Sequence, residues 1–131
     1  MLKTLFLQAP SFDGFDGGAG SRYQAKREIR SFWYPTWLAQ PAALVPGSRL
    51  LDAPADGLTA EQALDVAAGY ELVILHTSTP SFAGDARFIE LLKARQPRTL
   101  AGMIGARVAV DQDGALQASP AIDFVAREEF D

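Results

Sequence analysis

The chemistry available to this sequence is concentrated in three short runs. His76-Thr77-Ser78-Thr79 follows an apolar stretch and leads into Pro80-Ser81. Its hydroxyls can hydrogen-bond a planar ligand. His76 is the single imidazole of the chain. It can ligate a metal or shuttle a proton, or it can end a strand with a hydrogen bond to a neighbouring backbone group. Gly105-Ala106-Arg107 follows a second apolar stretch. Glycine at a strand end suggests close backbone approach by a ligand. Arg107 can grip a carboxylate or phosphate, or stand in solvent. The third run, Ser11 to Ser21, includes Gly14, Gly17, Gly18 and Gly20. Its glycines can bring backbone N–H groups close to an anion. The run matches neither GxGxxG nor GxxxxGK[ST], so it carries no dinucleotide or nucleoside-triphosphate signature. The candidate cofactor-binding residues are therefore Ser11, Gly17, Gly18, His76, Thr77, Ser78, Thr79, Gly105, Ala106 and Arg107. No catalytic residue and no protein metal ligand is assigned.

These runs need a scaffold that gathers them, and the apolar pattern supplies one. Leu2 to Leu7 is a short, nearly continuous apolar run, as in a strand buried on both faces. Pro35 to Val45 predicts a helix, with a kink or early restart at Pro41 and Gly47 closing it. Ser48 to Asp52 predicts a second strand. Thr59 predicts the cap of a helix over 59–68, with Gln62 three residues on completing a capping box, and Gly69 as its stop. Glu71 to Leu75 is the clearest strand. Gly84 or Asp85 opens a third helix to Arg95, with Lys93 and Arg95 suited to its C-terminus and Pro97 ending it. Thr99 to Ile104 and Ile122 to Ala126 are the fourth and fifth strands, and Asp113 to Gln117 can hold a short helical turn. Alternation at this spacing argues for βαβ units, right-handed crossovers and a parallel sheet. The fold class expected is α/β, doubly wound and flavodoxin-like (Rossmann-like), with five parallel strands in the order 2-1-3-4-5. The ligand face lies at the carboxyl ends of the strands, near Pro10, His76 and Gly105, where the loops 9–34, 53–58, 76–83 and 105–113 meet. The final helix that normally covers a fifth strand is missing, so residues 1–131 are expected to be one domain, with an exposed edge or as a piece of a longer protein.

The bulk composition excludes several classes. The chain has 131 residues, 48% of them hydrophobic and 21% charged, which suits a folded domain rather than a disordered one. It has no cysteine, so it builds no disulfide, iron–sulfur cluster or thiolate metal site by itself. A formal charge of −4 argues against a general nucleic-acid surface. No stretch approaches the roughly 20 apolar residues of a transmembrane segment, and the apolar start lacks a signal-peptide cleavage pattern. Arg22, Lys26, Arg27 and Arg30, followed by Phe32, Trp33 and Tyr34, can meet a phosphate or a partner domain, or form a solvated face over core aromatics. Asp13, Asp16 and Asp52 lie near the expected ligand face. Response regulators of this fold use such carboxylates with magnesium, but their lysine after the fifth strand has no counterpart in Ala126-Arg127-Glu128-Glu129.

Taken in order, the segments resemble the N-terminal cobalamin-binding domain of cobalamin-dependent radical S-adenosylmethionine (radical SAM) proteins. Leu5-Phe6-Leu7-Gln8-Ala9-Pro10 looks like that family's opening strand and turn, and Tyr34 to Leu44 like its first helix. Leu50-Leu51-Asp52-Ala53 resembles its second strand. Ile104-Gly105-Ala106-Arg107-Val108 occupies the place of its Gly-Gly-Pro-His loop, and Ile122 to Asp131 resembles its closing strand and turn. Within the family, Ser11 to Gln24 together with Ser31 to Pro41 is similar to the hopanoid-biosynthesis-associated radical SAM proteins. The DxHxxG motif that supplies an axial histidine in some cobalamin domains is absent, and the Gly-Gly pair is reduced to Gly105.

The resemblance implies a cobalamin-binding, non-catalytic domain. Its small-molecule cofactor would lie across the strand ends, and its partner would be a C-terminal radical SAM domain. The metal-binding and iron–sulfur chemistry would belong to the parent enzyme, whose S-adenosylmethionine and 4Fe-4S cluster this chain does not bind. The implied role is hopanoid lipid side-chain biosynthesis, in the cytoplasm or at the inner membrane face. Two other readings stand beside it: a cofactor-free structural or docking module of the same parent, and a flavin- or phosphate-binding flavodoxin-like domain.

Overall fold

In a computed structural model, which describes residues 1–12 and 35–127, the apolar runs become strands of one sheet. The strands are β1 (Thr4–Gln8), β2 (Arg49–Asp52), β3 (Leu72–His76), β4 (Leu100–Ile104) and β5 (Phe124–Val125). Their order is β2-β1-β3-β4-β5, and every neighbouring pair is parallel. This is the doubly wound, flavodoxin-like α/β architecture. Every residue of β1 is buried, which is why its centre, Leu5-Phe6-Leu7, reads as a continuous apolar run rather than an alternating one.

Alternate side chains feed two cores, one on each face of the sheet. Leu5, Leu7, Val73, Leu75, Ala101 and Met103 join Leu64, Phe88, Ile89 and Leu92 on the face covered by the helices α2 (Ala60–Ala67) and α3 (Phe82–Arg95). Phe6 and Ile104 meet Leu38 of α1 (Thr36–Leu44) on the other face. The helix α2 begins as its sequence predicts. Gln62 N donates to Thr59 Oγ1 at 3.2 Å, and Thr59 N donates to Gln62 Oε1 at 2.9 Å.

The structure corrects several boundaries. No break occurs at Pro41; α1 runs through it to Leu44. A proline there deletes only the intrahelical bond to the carbonyl of Trp37, a residue that is 51% exposed. The turn after α1 uses Gly47 at φ +76°, leading into β2. Helix α3 starts at Phe82, earlier than Gly84 or Asp85, because Phe82 is itself buried in the core. The stretch 105–113 is not a loop. Gly105 turns the chain and α4 (Ala106–Val110) follows at once, then α5 (Gln112–Ala118). Five residues are too few for helical periodicity to show, and Asp111 restarts the chain by accepting from Gly114 N at 3.0 Å. The fifth strand keeps only Phe124 and Val125 of the expected run 122–126.

That short strand is held by specific contacts. Asp123 N donates to the carbonyl of Ala101 at 2.9 Å. The Asp123 carboxylate accepts from Ala101 N at 2.7 Å and from Lys93 Nζ at 2.5 Å. The ring of Phe124 lies over Gly102, its register partner, in the space a Cβ would need. An aromatic ring thus covers the bare glycine backbone on the neighbouring strand.

Candidate functional site

Among the described residues, the segments that follow β3 and β4 lie side by side at the carboxyl end of the sheet. They are joined by backbone and by a missing side chain. Thr77 N donates to the carbonyl of Ile104 at 2.9 Å, extending the β3–β4 ladder by one residue. Gly105 then adopts φ +118°, which side-chain-bearing residues rarely take. A Cβ at Gly105 would run into the carbonyl oxygen of Thr77 and would sit 3.2 Å from Nε2 and 3.3 Å from Cδ2 of His76. Gly105 thus approaches the protein's own β3 end closely.

The ten expected site residues separate into layers. His76 and Thr77 are buried, 9% and 0% exposed, beneath the loop surface. Ser78, Gly105 and Arg107 are half-buried, and Thr79 and Ala106 are exposed. These five, each at least partly exposed, make up the rim of the β3 and β4 ends. Ser11, at the end of the described part of the first loop, is half-buried. Gly17 and Gly18 lie outside the described residues, as do Asp13, Asp16 and the basic–aromatic segment 22–34. Asp52 ends β2 in register with Gln8.

Arg107 is oriented by its neighbours. Its guanidinium lies 4.7 Å from the centre of the Phe82 ring and 3.7 Å from Oδ2 of Asp111, one helical turn on. A second guanidinium, Arg87 of α3, lies 4.4 Å from the ring centre of Phe12. Such cation–π contacts orient each guanidinium, and Arg107 already has one carboxylate, Asp111, beside it.

One residue of consequence escapes the sequence reading. Asp85, 3% exposed, lies in the first turn of α3. Thr77 Oγ1 donates to its Oδ2 at 2.8 Å. Burial pushes the carboxyl up to about 7 from the ordinary 3.8, while the hydroxyls of Thr77 and Ser81 pull it down. Ser81 is in turn bound to Ser78. Ser78 N donates to Ser81 Oγ at 3.1 Å, and the two hydroxyl oxygens are 2.7 Å apart. A line of polar contacts thus runs from a buried acid to the rim. The signal was present in the spacing: Phe82, Asp85, Ala86, Ile89 and Leu92 share one helical face, so an acid in that register has to be buried. Read as a helix opener, Asp85 passes for a solvated first-turn acid.

Among the described residues, no group of three His, Cys, Asp or Glu side chains is placed to hold a metal ion, and no helix is long and apolar enough to cross a membrane. Compared with known proteins, the chain matches no family model, no curated protein and no solved structure.

Proposed function

We propose that this chain is a cobalamin-binding, non-catalytic domain that works with a C-terminal radical SAM domain, in the side-chain biosynthesis of hopanoid lipids and in the cytoplasm. The observation that carries the reading is the rim itself. The β3 and β4 ends are locked together at Gly105, and above that lock Ser78, Thr79, Ala106 and Arg107 offer small or hydroxyl-bearing surface beside one cation. A wide, flat corrin needs a platform of this kind, without bulky side chains at its centre.

The donor set suits the group. Hydroxyls of Ser78 and Thr79, together with the backbone of Gly105 and Ala106, match the peripheral amides of a corrin. Arg107 matches the phosphate of its nucleotide tail, and Ser11, after the end of β1, is assigned to the same ligand. His76 is packed against Gly105 beneath the rim, so the reading assigns it the role of floor. When bound, cobalamin supplies radical and cobalt–carbon chemistry; this chain's residues bind and orient it. With no cysteine in the chain, the iron–sulfur cluster and S-adenosylmethionine are assigned to the partner domain.

The test is a titration of the purified protein with hydroxocobalamin, followed by corrin absorption and by calorimetry. Saturable binding with one corrin per chain is expected, weakened at least tenfold in Arg107→Gln. Absence of both a spectral change and binding heat overturns the reading. A parallel titration with flavin mononucleotide that saturates instead moves the protein to the flavin-binding class.

A further inference from the structure

Asp85 is used by none of the roles assigned above, although it is the most deeply buried acid of the described sheet end and sits at the root of a hydroxyl chain. Its Oδ2 accepts from Thr77. The Ser81 hydroxyl also interacts with the carboxylate, and Ser81 Oγ lies 2.7 Å from Ser78 Oγ. Every member of such a chain is constrained by the one before it, because a hydroxyl has a single proton to donate.

Two proton arrangements follow. With Asp85 ionised, the carboxylate only accepts. Ser81 then donates to Asp85, and Ser81 Oγ accepts from Ser78 Oγ–H and Ser78 N–H. With Asp85 protonated, its Oδ–H donates to Ser81 Oγ. Ser81 then turns its proton toward Ser78, whose hydroxyl oxygen at 2.7 Å is a closer acceptor than its carbonyl oxygen at 3.4 Å, and the Ser78 hydroxyl turns its own proton away from Ser81. Proton count balances: one proton enters at the carboxyl and two hydroxyls reverse direction, with no bond broken in either serine.

We propose that the protonation state of Asp85 sets, through Ser81, the direction in which Ser78 donates at the rim, making Asp85 a positioning residue for the strand-end face. Of the charged and titratable side chains on the elements around it, His76 of β3, Arg87 of α3 itself and Arg107 of α4 sit toward the carboxyl end of the sheet; Glu90, Lys93 and Arg95 of α3 and Glu61 and Asp65 of α2 are engaged elsewhere, Glu90 with Ser119, Lys93 with Asp123 and Arg95 with Glu61 and Asp65. The two guanidiniums lie over Phe12 and Phe82, and His76 packs on Gly105. None of the three is among the causes of the Asp85 shift, which are burial and the two hydroxyls. The switch is therefore local to the chain Asp85–Ser81–Ser78. Its consequence for corrin affinity rests on the cobalamin reading; the switch itself does not.

The experiment is an NMR pH titration of the purified protein, observing the Asp85 carboxyl carbon and the Ser78 amide. Both resonances are expected to move with one shared midpoint near 7. Ser81→Ala is expected to leave the carboxyl titration in place and abolish the matching movement at Ser78. Asp85→Asn is expected to hold the Ser78 amide constant over the same range. A Ser78 amide that does not move through the carboxyl titration, or one that still moves with it in Ser81→Ala, overturns the proposal. So does a carboxyl midpoint near 4. Repeating the hydroxocobalamin titration at pH 6 and pH 8 separates the two readings. Failure to bind at either pH removes the cobalamin assignment and leaves the relay standing. Binding whose pH dependence survives in Ser81→Ala removes the relay's effect on the face and leaves the assignment standing.

Discussion

Thr77 and Asp85 are bound hydroxyl to carboxylate at 2.8 Å with both side chains buried, and this bond ties the end of β3 to the first turn of α3. Thr77 also continues the ladder to β4 through its backbone N–H. One residue thus connects three elements at the end of the sheet where the rim is built. Thr77→Val keeps the shape and deletes the donor. It is expected to cost about 1–3 kcal/mol, the usual penalty for leaving a buried acceptor short of a partner, and to raise the Asp85 carboxyl further, since the Thr77 hydroxyl holds it down. Urea denaturation measures the first effect and NMR titration of the carboxyl carbon the second.

The raised carboxyl makes stability depend on pH in an unusual direction for an acid. Asp85 lies near 7 in the folded protein against 3.8 as the ordinary value, so the folded state holds the proton more tightly than the unfolded chain. Its contribution is greatest below pH 4, is lost progressively as pH rises toward 7, and is flat above that. Asp85→Asn removes the titration while keeping an acceptor for Thr77. Its gain in stability over wild type is expected to grow from pH 4 to pH 7 and reach the order of 4 kcal/mol at most at pH 8. Denaturation at pH 5 and pH 8 checks it; an equal difference at both values refutes it.

Two glycines should respond oppositely to alanine. Gly105→Ala puts a Cβ on the Thr77 carbonyl at φ +118°, so strain of roughly 1–3 kcal/mol is expected, together with separation of the β3 and β4 loops. Gly84, inside α3, has no atom within 4 Å of a built Cβ. Gly84→Ala is expected to stabilise by about 0.5–1 kcal/mol. Thermal unfolding of the two variants side by side tests the contrast.

The Asp123 side chain contributes two of the bonds that hold the edge strand. Asp123→Ala removes the carboxylate that accepts from both Ala101 N and Lys93 Nζ. A loss of about 1–2 kcal/mol is expected, with hydrogen-exchange protection falling first at Ala126 N, which donates to Met103 O at 3.0 Å.

Much of this molecule was legible in its sequence. The order of strands and helices along the chain follows from local patterns, and the parallel 2-1-3-4-5 sheet was expected from strand–helix alternation and the rules of βαβ connection. β-branched and apolar runs mark the strands, and the reciprocal Thr59–Gln62 cap marks the start of α2. These are short-range effects: propensity, periodicity and capping act within a few residues, so the sequence carries them directly. The strand-end location of Ser78, Thr79, Gly105 and Arg107 was legible for the same reason.

What only the tertiary structure decided are the relationships between segments. Gly105 is a glycine because Thr77 and His76 fill the space beside it, and nothing near position 105 in the chain says so. Helix α4 exists because that turn directs the chain into it, not through a periodicity five residues can display. Asp85 becomes a buried acid because the face shared by Phe82, Ala86 and Ile89 packs on the sheet. Burial then raises its carboxyl and places it at the root of the Ser81–Ser78 chain. Desolvation and close approach depend on which distant surfaces meet, and that is settled by the fold as a whole.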